Sequence, residues 1–78
     1  MRQREMPEKS RDEYERAIDQ WILGRNSERD RTILRMYLFD GVSYLRMQER
    51  LDEMGYPLSI DRLKRIIWKR KEELFRHL

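Results

Sequence analysis

Seventy-eight residues, 42% charged and 38% hydrophobic, supply one small core and leave nothing for a second domain. With no cysteine and a single histidine, the chain has neither a disulfide framework nor the ligands of a zinc site. The net charge of +3 is uneven: residues 1–26 carry six basic and six acidic groups, 27–58 carry five and six, and 59–78 carry seven and three.

Residues 1–7 are polar and aperiodic and end in Met6-Pro7, which reads as a disordered lead-in to a single helical domain over residues 8–78. No apolar stretch resembles a secretory signal or approaches the roughly 20 residues of a membrane span. A cytoplasmic protein without membrane contact is therefore expected.

From Glu8 to Leu23, the residues Tyr14, Ala17, Ile18, Trp21 and Ile22 form one stripe of an amphipathic helix. Gly24 stands where a C′ glycine would end it, so the N-terminal helix is expected over 8–24. Asn26-Ser27 offers the next N-cap, with Glu28 and Asp30 adding negative charge to the first turn. That second helix is expected to reach about Phe39, with Ile33, Leu34, Tyr37 and Leu38 on one face and Asp40-Gly41 as its stop.

Ser43 can cap a third helix in which Tyr44, Met47, Gln48 and Leu51 share a face. Gly55-Tyr56-Pro57-Leu58 is turn chemistry. Ser59 then caps a last helix, unbroken to Leu78 and about 30 Å long at 1.5 Å per residue. No segment has the alternation of a half-buried strand. The expected class is all-α, a small four-helix domain.

The last helix holds the charge excess. Arg62-Leu-Lys64-Arg65-Ile-Ile-Trp-Lys69-Arg70-Lys71 has six basic residues and no acid. Helical spacing puts Arg62, Arg65, Lys69 and Arg76 opposite the apolar face of Ile60, Leu63, Ile67, Leu74 and Leu78. Lys64 and Lys71 flank the core edge, and neither Ile66 nor Trp68 has an assured place in the core. Cations near the helix C-terminus complement its dipole, but Arg62, Lys64 and Arg65 stand in the first turns, where the dipole disfavours them. A localised basic helix of this kind is the electrostatic footprint of a nucleic-acid reader, the plain alternative being a solvated face.

The order Glu28-Arg-Asp-Arg-Thr-Ile-Leu, then Asp40-Gly-Val-Ser-Tyr44, then Met47 and Leu51, then Ser59-Ile-Asp-Arg-Leu-Lys64 resembles region 4 of bacterial sigma-70-type factors and the sigma-like regulators of phages and mobile elements. The resemblance covers about residues 27–78, with Ile60 and Leu63 matching the apolar anchors of the recognition helix, Lys64 its lysine and Ile67 its next core position. Two departures stand out. The family has a tight connection where this chain has Asp52 to Leu58, and Gln48 replaces a small alanine. A long polar side chain there needs a hydrogen-bond partner or must turn to the rim.

The resemblance implies a helix-turn-helix with an extended turn, reading double-stranded DNA through the major groove with the helix that starts at Ser59. Arg62 and Arg65 would then contact guanine edges, while Ser59, Lys64 and Lys69 hold phosphates. Arg29, Arg31, Arg46 and Arg50 are further candidates for the backbone, and Asp61 serves the helix dipole or accepts from a cytosine amino group. RNA polymerase is a partner that the resemblance adds.

No catalytic residue, metal or cofactor is expected: His77 is alone, the three glycines stand singly, and the acids are ordinary helix-surface groups. The alternative reading is a protein-docking module or inhibitor. Its surface would combine Met36, Phe39 and Leu45 with Trp21, Ile22 and Leu23 of the first helix. The sequence leaves homodimerisation open.

Overall fold

The computed structural model describes residues 7–78, so all but Pro7 of the expected lead-in lies outside the described residues. Four helices follow in order: α1 (Arg11–Trp21), α2 (Ser27–Arg35) continued by a π-helical turn (Met36–Asp40), α3 (Tyr44–Glu53) and α4 (Ile60–Phe75). No strand occurs among the described residues. No helix among them is long and apolar enough to cross a membrane.

The caps decide where the helices begin. α1 starts three residues later than Glu8 because Ser10 and Glu13 form a reciprocal capping box: the Glu13 N–H donates to the Ser10 hydroxyl and the Ser10 N–H to the Glu13 carboxylate. Ser43 and Ser59 cap α3 and α4 as expected, each hydroxyl accepting from the backbone N–H three residues on. Asn26 precedes α2 without a side-chain cap bond.

The ends differ more from expectation. α1 stops at Trp21, and Ile22 turns extended so that its side chain enters the core. Gly24 is therefore not the C′ residue; at φ 106° it bends the α1–α2 connection, its carbonyl accepting from the Ser27 N–H. The open carbonyls at the end of α1 are met from α2, where Arg31 donates to the carbonyls of Ile22 and Asp19, both at 3.0 Å. α3 closes on Gly55 (φ 87°) in a Schellman arrangement, with the Tyr56 N–H on the Leu51 carbonyl at 2.8 Å and the Gly55 N–H on that of Asp52 at 3.1 Å. α4 ends at Phe75, short of Leu78, giving a helix of about 24 Å.

Packing divides into two apolar clusters with α2 between them. Tyr14, Ala17, Ile18, Ile22, Leu34, Leu74 and Phe75 form the first; Ile33, Met36, Met47, Leu51, Leu58, Leu63 and Ile67 form the second. α4 joins them, its first half packing into one and its second half into the other. The two-sided packing explains a departure on α2. Met36, off the single apolar stripe, is only 3% exposed because α2 is covered on two sides, Leu34 entering the first cluster and Ile33 and Met36 the second.

Between the clusters lies a polar seam. Asp30 is 3% exposed and accepts from Arg29 Nε at 2.8 Å and from Arg70 Nε at 2.7 Å. Arg70 also donates to Glu73 at 2.7 Å and to the Leu23 carbonyl at 2.9 Å. The pair thus binds α2, α4 and the α1–α2 connection to one another. Every donor of Arg70 that points inward has an acceptor, the condition under which burying a guanidinium is tolerable.

Candidate nucleic-acid interface

The second cluster fixes how α4 is rotated. Leu63 and Ile67 are buried against α2 and α3, which turns Arg62, Arg65 and Lys69 outward. All three are exposed, and none has an ion-pair partner among the described residues. A row of cations left without acids holds a positive potential that an anionic ligand would neutralise.

Ser59 lies at the head of this row. Its oxygen accepts from the Arg62 N–H at 3.2 Å, which leaves the hydroxyl proton for an outside acceptor. Asp61, also in the first turn, sits where negative charge complements the helix dipole.

Lys64 is placed differently. Its ammonium lies over the Tyr44 ring, 5.2 Å from the centroid, and Lys71 lies likewise over Tyr37 at 5.6 Å. Both cations sit on tyrosines belonging to the preceding helices. The five expected site residues therefore divide into an outward group (Ser59, Arg62, Arg65, Lys69) and a flanking one (Lys64).

Arg70, the sixth cation of the basic run, is withdrawn altogether. Burial works against its charge, but its hydrogen bonds to Asp30 and Glu73 outweigh that and raise its pKa above the ordinary guanidinium value. A signal for this exists in the sequence. Leu63, Ile67, Arg70 and Leu74 follow a 4-3-4 spacing, so Arg70 occupies a core position and the buried Asp30 is its partner.

Of the arginines expected to help from earlier helices, two are committed to the fold: Arg29 pairs with Asp30, and Arg31 closes the end of α1. Arg50 stands 4.0 Å from Asp40. Arg46, in the first turn of α3, is exposed and has no ion-pair partner among the described residues.

The connection from α3 to α4 answers the two departures together. Gln48 donates from Nε2 to the Leu58 carbonyl at 2.8 Å. The long side chain reaches across to hold the end of the widened turn just ahead of Ser59. Leu58 is itself buried in the second cluster, so both backbone and side chain fix the start of α4.

The surface expected for protein docking is divided, with half of its six residues exposed and half drawn into the fold. Met36 and Ile22 are buried, and Phe39 packs against Tyr14 with the Arg11 guanidinium over its ring. Leu23 and Leu45 are exposed, while Trp21 stacks on His77 at 3.8 Å. Among the described residues, no group of acids and histidine is placed to hold a metal ion. Set against family profiles, curated proteins and solved structures, the chain matches none of them.

Proposed function

We propose that the protein is a sequence-specific double-stranded DNA-binding protein, a small transcriptional regulator of the bacterial or phage sigma-like kind. In this reading α3, the widened connection and α4 act as a helix-turn-helix. The first turns of α4 enter the major groove, whose width of about 12 Å accepts one helix. Arg62 and Arg65 meet base edges, and Ser59 and Lys69 hold phosphates. No catalytic group and no cofactor takes part.

The observation that carries this reading is that Arg62, Arg65 and Lys69 stand in one outward row of α4 without an ion-pair partner among the described residues, while the arginines packed into the fold are paired. Arg35 reaches both Glu15 and Asp19, and Arg70 reaches Asp30 and Glu73. The outward row of α4 gathers three such cations on one helix face, where an outside anion can meet them. Arg62 and Arg65 also stand near the N-terminus of α4, where they gain nothing from the helix dipole.

Selection from random duplex DNA at moderate salt tests it. A recovered consensus, with affinity falling linearly against salt in logarithmic coordinates, supports the reading, and a palindromic consensus would add a dimer. Failure to bind any duplex at low salt rejects it in favour of the docking alternative, in which a host protein such as RNA polymerase is the ligand.

A further inference from the structure

Trp68 is 67% exposed in the middle of α4, the most exposed of the large apolar side chains among the described residues. The fold makes no use of its ring, and an indole left in water this way is a candidate for a partner. Lys64, Trp68 and Lys71 recur at i, i+4 and i+7, so they form one row of about 10 Å along the helix. Within α4 the acids stand only beyond the ends of this row in sequence, at Asp61, Glu72 and Glu73. The two lysines are steadied from behind by Tyr44 and Tyr37. On the other side of the outward row the cation is already spent, because Arg70 is paired with Glu73 and Asp30.

We propose that Lys64, Trp68 and Lys71 form a clamp for the sugar–phosphate backbone of one DNA strand, with the indole N–H donating to a phosphate and the ring lying on deoxyribose. The inference deepens the DNA reading and depends on it. Helix α4 then has two working rows: the outward one, with Arg62 and Arg65 toward the floor of the groove and Lys69 on a phosphate, and the clamp toward one wall. The neutralised opposite flank makes the grip one-sided. Because indole carries a donor and no charge, Trp68 adds affinity without releasing counterions, whereas each lysine releases about one.

The test measures binding of a mixed-sequence duplex and of the selected site by wild type, Trp68→Ala, Trp68→Phe and Lys71→Ala across a salt series. Trp68 is exposed, so the variants should fold like wild type, which far-ultraviolet circular dichroism checks. Trp68→Ala should bind every duplex about tenfold more weakly with its salt slope unchanged, and Trp68→Phe should recover part of the loss. Lys71→Ala should lower the salt slope by about one. In a Trp21→Phe background, Trp68 fluorescence should change on adding DNA. Undiminished DNA affinity in Trp68→Ala overturns the clamp while leaving the DNA reading intact. A wild-type protein that binds no duplex overturns both.

Discussion

Arg70 and Asp30, forty residues apart in the chain, meet at 2.7 Å in the seam between the two apolar clusters. The contact takes a cation out of the basic run and makes it part of what holds α4 in place. Asp30 serves two guanidiniums, whereas Arg70 spreads its donors over Asp30, Glu73 and the Leu23 carbonyl. The two residues are therefore not equivalent to remove.

Asp30→Ala should cost about 3–5 kcal/mol, because it strands the positive charge of Arg29 in a confined site and leaves Arg70 with Glu73 as its one carboxylate. A domain of this size has about 5–15 kcal/mol in total, so the loss would be a large fraction of its stability. Arg70→Ala should cost less, since Asp30 keeps Arg29. Urea denaturation followed by circular dichroism ranks the two; equal losses would mean that Arg29 contributes nothing to the seam.

The bond from Gln48 to Leu58 fixes the widened connection. Gln48→Ala removes the donor and leaves a carbonyl in a buried segment without its partner, a loss of about 1–3 kcal/mol. Gln48→Glu should be at least as damaging near neutral pH, where the carboxylate has no proton to donate and faces the carbonyl oxygen. If Gln48→Glu retained full stability, the hydrogen bond would not be what holds the turn.

Helix periodicity and caps made most of the fold legible. Ser43, Gly55 and Ser59 work as their chemistry says, and the outward face of Arg62, Arg65 and Lys69 follows from the burial of Leu63 and Ile67. What escaped were relations that local pattern does not encode. The Ser10–Glu13 box was available as a Ser-x-x-Glu signature but lay inside a polar stretch continuous with the lead-in. Met36 is buried because α2 packs on two sides, which a single apolar stripe does not show. Arg70 is a core residue only because a buried Asp30 answers it across forty residues, and charge counting alone assigns it to the ligand face. Phe75 shows the same limit, since it is buried against Tyr14 although it stands off the apolar stripe of α4.

The Glu13 carboxylate is held below the ordinary range by the hydrogen bond from the Ser10 backbone, then by that of its side chain. A carboxylate with a depressed folded-state pKa adds stability that is complete above its unfolded value and is lost as pH falls through the folded one. Glu13→Gln should accordingly be slightly less stable than wild type at neutral pH and equal to it in strong acid, which flattens part of the acid limb of its stability–pH profile. Thermal midpoints measured from neutral to strongly acidic pH on both proteins check it. An unchanged acid limb would remove Glu13 from the account of acid sensitivity.

Ser59 joins two roles, cap and phosphate donor, that one substitution can part. Aspartate caps a helix as well as serine does, so Ser59→Asp should keep stability near wild type, whereas Ser59→Ala should lose about 1 kcal/mol. For DNA the order reverses. Aspartate sets a negative charge beside a phosphate and should weaken binding more than alanine, which merely removes a donor. Parallel denaturation and DNA-binding curves would show the crossing. If both variants bound DNA like wild type, Ser59 would be a cap alone.

Arg65 and Lys69 lie one turn apart on the outward row, and the DNA reading gives them different work. Arg65→Ala should cost about 1–3 kcal/mol on the selected site and relax preference at one base pair, as loss of a bidentate guanine contact would. Lys69→Ala should weaken all sequences alike and lower the salt slope by about one. Both side chains are exposed and unpaired, so neither change should move stability by more than about 0.5 kcal/mol. That constancy separates them from Arg70, whose removal damages the fold before it touches a ligand. A uniform loss for Arg65→Ala on every duplex would turn it into a phosphate contact and leave Arg62 to read the bases.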